Sequence, residues 1–128
     1  MFFQLNDKQA QSFNSVPAST WQYAAATGGI VNSTTAVTIA PAVVGFSNYL
    51  TSLTIATDVL GVATELVIRD GAGGTVLWRL KLQTAALSYA NIVFRTPLKS
   101  STGNLLEITT LTASVTGGVF VNAQGYVA

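Results

Sequence analysis

Apolar and polar positions alternate along the chain from Thr20 onward, in short runs broken by turn residues. The clearest run is Thr75–Leu82, where Val76, Trp78, Leu80 and Leu82 share one face and Thr75, Leu77, Arg79 and Lys81 share the other. A period of two marks a strand with one buried face. Residues 62–69 alternate as well, setting Val62, Leu66 and Ile68 against Glu65 and Arg69. The two runs are joined by Asp70-Gly71-Ala72-Gly73-Gly74, rich in residues that tolerate positive φ, which predicts a hairpin. Residues 89–95 direct Ala90, Ile92 and Phe94 inward and Asn91 and Arg95 outward; Thr96-Pro97 and Ser100-Ser101-Thr102-Gly103-Asn104 then read as a loop. Residues 105–111 place Leu106 and Ile108 opposite Glu107 and Thr109. After the turn Thr116-Gly117-Gly118, residues 119–126 form a last strand with Val119 and Val121 on one side. Weaker strands rich in Thr, Val and aromatics cover 21–25, 35–39 and 46–57.

No apolar stripe of period 3.6 with a capping signal occurs, and Ala24-Ala25-Ala26 is short and stopped by Gly28-Gly29. About eight short strands predict an all-β, antiparallel β-sandwich of jelly-roll-like form rather than a parallel α/β sheet. One such domain is expected over residues 20–128, with Leu66, Ile68, Trp78, Leu80, Ile92, Phe94 and Ile108 packed between two sheets. Residues 1–19 read as an extended N-terminal arm. Residues 4–19 are rich in Gln, Asn and Ser, hold Pro17 and carry only scattered apolar residues, too few to offset ordering entropy alone. Two readings stand: a loosely draped terminus, or an arm that orders on a neighbouring subunit with Phe2, Phe3 and Phe13 as assembly contacts.

Composition sharpens this picture. Of 128 residues only 11 are charged, 6 Lys+Arg and 5 Asp+Glu, and this 9% compares with about a quarter in ordinary soluble domains. Hydrophobic residues make up 49%, and the mean hydropathy is +0.47. No run of about 20 apolar residues could span a bilayer as a helix, and the first residues lack the basic and apolar regions of a signal peptide. The apolar excess therefore predicts surface covered by other subunits. An outer-membrane β-barrel also alternates, but runs such as 35–39 are short for its strands.

A net charge of +1 offers no concentrated basic face for nucleic acid. With no His and no Cys, imidazole acid–base catalysis, thiol nucleophiles, His/Cys zinc sites and disulfides are excluded. Paired carboxylates of a glycosidase type would have to come from Asp7, Asp58, Glu65, Asp70 and Glu107. Asp58 and Asp70 occupy turn positions, and Glu65 and Glu107 fall on the polar phase of strands, so all read as solvated or paired structural acids. Gly71-Ala72-Gly73-Gly74 lacks the following helix and the Lys-Ser/Thr of a phosphate loop. Asn32-Ser33-Thr34 has the form of a glycosylation sequon, without a secretory signal to give it meaning. Arg69, Arg79, Lys81, Arg95 and Lys99 read as scattered solvated charges, the alternative being a small basic patch. Trp21, Trp78 and Phe94 could form a sugar-stacking platform, but Trp78 and Phe94 sit in the apolar phase of their strands. No catalytic, cofactor or metal site is expected, and the chain does not read as an enzyme.

Several segments resemble small virion proteins of tailed bacteriophages: Glu65-Leu66-Val67-Ile68-Arg69-Asp70-Gly71, Val76-Leu77-Trp78-Arg79, Phe94-Arg95-Thr96-Pro97-Leu98-Lys99, and Val119-Phe120-Val121-Asn122-Ala123-Gln124-Gly125-Tyr126. The similarity spans residues 46–128. It implies a jelly-roll-like sandwich on the outside of a capsid, a decoration or cement protein that clamps and stabilises the major capsid protein shell. The implied partner is the major capsid protein; the scarcity of charge separately predicts a symmetric homo-oligomer, a homotrimer or else a homodimer, and no nucleic acid or membrane partner is expected. Assembly would occur in the host cytoplasm. The alternatives are a head-fibre base, a tail or baseplate subunit, or a carbohydrate- or receptor-binding β-sandwich.

Overall fold

The computed structural model describes residues 19–30, 36–112 and 116–128. Most of the expected arm lies outside the described residues, including Phe2, Phe3 and Phe13, and so does Asn32-Ser33-Thr34. Among the described residues all regular structure is strand: β1 (Thr20–Tyr23), β2 (Val37–Ala40), β3 (Asn48–Thr57), β4 (Thr64–Asp70), β5 (Thr75–Leu82), β6 (Leu87–Lys99), β7 (Leu106–Thr110) and β8 (Val119–Val127).

The strands pair as a nested hairpin. At its tip β4 pairs with β5; outward from there β3 pairs with β6, β2 with β7 and β1 with β8, every pair antiparallel. Rolling this long hairpin brings β8 beside β3 and β7 beside β4. Two four-stranded sheets result, β1-β8-β3-β6 (sheet I) and β2-β7-β4-β5 (sheet II). That connectivity is a jelly roll, the fold class the alternation predicts. The Asp70–Gly74 connection is the expected turn: Gly71 and Gly73 have φ of 84° and 65°, open to glycine without the Cβ penalty.

Between the sheets lie Leu50, Leu53 and Ile55 of β3, Leu66 and Ile68 of β4, Leu106 and Ile108 of β7, and Val119 and Val121 of β8, all essentially inaccessible. β3, β4, β7 and β8 are the inner strands of their sheets, so the best-buried residues come from the middle of the sandwich. Trp78, Leu80, Ile92 and Phe94 sit on the edge strands β5 and β6 and are only partly buried, packed against this core from the side.

Three local departures have physical causes. In β5 the register slips: Ile68 pairs with Trp78 but Arg69 pairs with Val76, leaving Leu77 as the extra residue of a bulge. A one-residue slip exchanges faces. Leu77 therefore packs against the core, and Val76 takes the outer face beside Arg69. The strand expected from Val62 starts at Thr64 instead. Val62 is exposed, whereas the buried Thr64 places its hydroxyl to accept a hydrogen bond from Thr112 N–H at 3.2 Å. Finally, Thr96-Pro97 does not end β6, which continues to Lys99. As an edge strand β6 leaves one row of backbone groups unpaired, which is where a sheet tolerates proline. The register jumps there from Ser52↔Val93 to Leu50↔Leu98.

Candidate interaction surfaces

The carboxylates of the described part serve the fold. Asp70 closes the loop after β6: it accepts hydrogen bonds from Ser101 N–H (2.9 Å), Ser101 Oγ (2.6 Å) and Asn104 Nδ2 (3.0 Å). Partial burial pushes its pKa up, but these three bonds outweigh it and hold the carboxyl below its ordinary value. Asp58 accepts from Gly118 N–H at 3.0 Å. No group of three or more acids gathers among the described residues.

The outer face of sheet II carries paired charge. Glu107, 5% exposed, binds Arg69 (Nη2 at 2.5 Å, Nε at 2.6 Å) and also accepts from Gly73 N–H at 2.9 Å. Arg79 pairs with Glu65. Between these pairs Val67 sits directly across from Arg79 on one side and Thr109 on the other. Val67 and Thr109 are both buried although they face away from the core. Arg69, Arg79 and Glu65 are the long side chains placed to cover them with their aliphatic stems. Glu107 and Thr109 lie on the polar phase yet are buried, and of the two readings for Glu107, solvated or paired, the geometry gives the paired one. The five cations do not form one patch: Arg69, Arg79 and Lys81 belong to sheet II, Arg95 and Lys99 to sheet I.

The side of the sandwich between edge strands β5 and β6 is open and apolar. A hollow of about 400 Å³ is lined there mostly by apolar residues, Leu80, Leu82, Leu87, Ala90 and Ile92 among them, with Lys81 and Gln83 also on its wall. Beside it Trp78 and Phe94 meet edge to face, their centroids 5.9 Å apart at 89°, closing the gap between sheets with half-buried rings. The adjoining β6 exposes Val93 (68%) and Tyr89 (64%). The sugar platform envisaged from Trp21, Trp78 and Phe94 is not assembled: Trp21 lies on β1 and packs toward the core, at the opposite edge of sheet I.

The centre of the outer face of sheet I is polar without charge, its cations Arg95 and Lys99 lying toward the end of β6. One row across it runs Gln22–Gln124–Ser52–Val93, and the next runs Asn122–Thr54–Asn91. All of these side chains but Val93 line a shallow trough of about 310 Å³, continued past Gln22 and Gln124 by a second hollow bordered by Thr20, Thr51 and Tyr126. The strands approach closely beneath it because β8 carries Gly125, where a Cβ would lie 2.6 Å from Trp21 Cζ2. Sequence reasoning attended to charges and aromatics and passed over these amides. Their signal was present in β8, where Asn122 and Gln124 alternate with buried Val121 and Ala123.

No family model matches the sequence, and no curated protein matches it. Among solved structures, the coat protein of Tobacco streak virus aligns over 88% of this chain and 89% of its own, with 14% identity and a TM-score of 0.42.

Proposed function

We propose that the chain is a non-enzymatic structural protein of a virion, and specifically a capsid decoration protein that binds and stabilises the assembled shell as a homo-oligomer. The observation that carries this reading is the open, apolar β5–β6 side on a molecule with few charges. The largest aromatic pair of the described core is left half-buried there, beside a hollow lined by Leu80, Leu82 and Ile92. A surface of that kind is completed by a protein neighbour, and with Lys81 the one charged residue on the wall of the hollow, little charge has to be desolvated in the contact. Attachment to the shell uses this side together with residues 1–19, whose Phe2, Phe3 and Phe13 fill shallow pockets on a neighbour. A trimer is favoured over a dimer because closed symmetry on a shell offers three-fold sites. Binding to the assembled but not the dissociated shell raises shell stability by mass action.

The test is to count copies in purified particles by quantitative mass spectrometry. Hundreds per particle accord with decoration; tens or fewer accord with a head-fibre base, tail or baseplate subunit. Absence from particles refutes the virion reading altogether.

A further inference from the structure

We infer that the trough on the outer face of sheet I is a binding site for a neutral carbohydrate. Gln22, Gln124, Ser52, Asn122, Thr54 and Asn91 stand on four neighbouring strands in two adjacent rows. Strands lie about 4.8 Å apart, so six uncharged hydrogen-bonding groups share a patch the size of two sugar rings. Two of them are already fixed in place. Gln124 Nε2 donates to Ser52 Oγ at 2.9 Å, which leaves its Oε1 as an acceptor. Asn122 Oδ1 accepts from Ala25 N–H at 3.0 Å, which leaves Nδ2 as a donor. Gln22, Thr54 and Asn91 make no side-chain hydrogen bond among the described residues.

The patch therefore presents interleaved donors and acceptors, partly preorganised, with no formal charge. Sugar hydroxyls, each both donor and acceptor, are the chemistry that matches it. A phosphate, a sulfate or a charged peptide would find no counter-charge among these six side chains. Aromatic rings flank the polar rows. Tyr126 and Tyr49 stack at 4.7 Å one row beyond Gln124 and Ser52, with Lys99 Nζ 5.8 Å from the Tyr49 ring centre, and exposed Tyr89 lies two residues from Asn91. Such rings accept the apolar C–H face of a pyranose while the amides take its hydroxyls.

The test uses the full chain and trisaccharides of glucose, galactose and N-acetylglucosamine, with a sialylated trisaccharide as charge control. Binding is followed by NMR through the side-chain amides of Gln22, Asn91, Asn122 and Gln124. We expect one of the neutral sugars to bind with a Kd of about 1 mM or tighter and to move those signals. The variant carrying Gln22→Ala and Asn91→Ala, both exposed and without side-chain hydrogen bonds among the described residues, should bind at least tenfold more weakly at an unchanged melting temperature. The inference is overturned if no neutral sugar moves these signals, if only the sialylated sugar does, or if the double variant binds as well as wild type. It is also overturned if sugar has no effect and the double variant instead lowers self-association, which would make the trough a contact between copies. Copy number per particle is untouched by any of these outcomes, so this inference and the virion reading fail separately.

Discussion

The two sheets share a core and differ on their outer faces. Sheet II covers its outer centre with ion pairs, Arg69–Glu107 and Arg79–Glu65, so that Val67 and Thr109 are buried under charged side chains. Sheet I leaves its amides and hydroxyls open to solvent, with its two cations, Arg95 and Lys99, toward the end of β6. Both faces are polar by the period-two pattern, yet the centre of one is taken up by ion pairs, whereas the other keeps Gln22, Thr54 and Asn91 without side-chain partners among the described residues. Polarity in the alternation alone does not separate a finished surface from one available to a ligand. What separates them is whether each polar group already has a partner inside the molecule.

The contrast should be absent from the inner faces. Leu53→Ala in sheet I and Leu66→Ala in sheet II, both fully buried, should each cost about 2–5 kcal/mol in chemical denaturation. A clear inequality would mean that one sheet contributes little to the core. On the outer face of sheet II, Arg69→Met strands a buried Glu107 carboxylate and should cost about 3–5 kcal/mol. The more exposed Arg79→Met should cost under about 1 kcal/mol. Equal losses would show that burial of Glu107 is not what gives its pair weight.

Asp70 supplies a pH-dependent term at the edge of the same sheet. Its folded-state pKa is depressed below 3.8, with hydrogen bonds from Ser101 and Asn104 overcoming the opposing effect of burial. The stabilisation is therefore complete above the unfolded value and lost as pH falls through the folded one. Wild type should lose stability below about pH 4 more steeply than Asp70→Asn, and pH-dependent melts of the two proteins would show it. The smallest effect belongs to sheet I. Gln22→Ala and Asn91→Ala should each stay within about 0.5 kcal/mol of wild type, and a larger loss would mean that the trough is part of the framework.

Strand placement was legible because it rests on burial every second residue. β5 was delimited fully, and Leu66, Ile68 and Ile108 lie at the centre of the sandwich. Phase within β5 was not legible ahead of Trp78, because the bulge at Leu77 depends on how β4 pairs and not on β5 itself. The length of β6 was hidden by Pro97, whose tolerance follows from an edge position that only the sheet order defines. The half-burial of Trp78, Leu80, Ile92 and Phe94 has the same origin: alternation tells which way a residue points, not whether its strand is central or lateral. The trough was missed because its six residues come from β1, β3, β6 and β8, and no local pattern announces that these strands are neighbours.

The nested hairpin also fixes an order of construction. β7 and β8, which leave the ribosome after β1 to β6, are central in their sheets, and β8 separates β1 from β3. Thr20 waits for Tyr126 before it has its partner, whereas β4 and β5 need close only a short turn. The β4–β5 hairpin is thus the element able to form early, and the sandwich closes outward from it. Pairing over such separations makes folding slow. During synthesis β1, β2, β3 and β4 present unpaired edges until residues 106–127 arrive to fill both sheets, and that interval is when the chain is most open to mispairing with its own nascent copies.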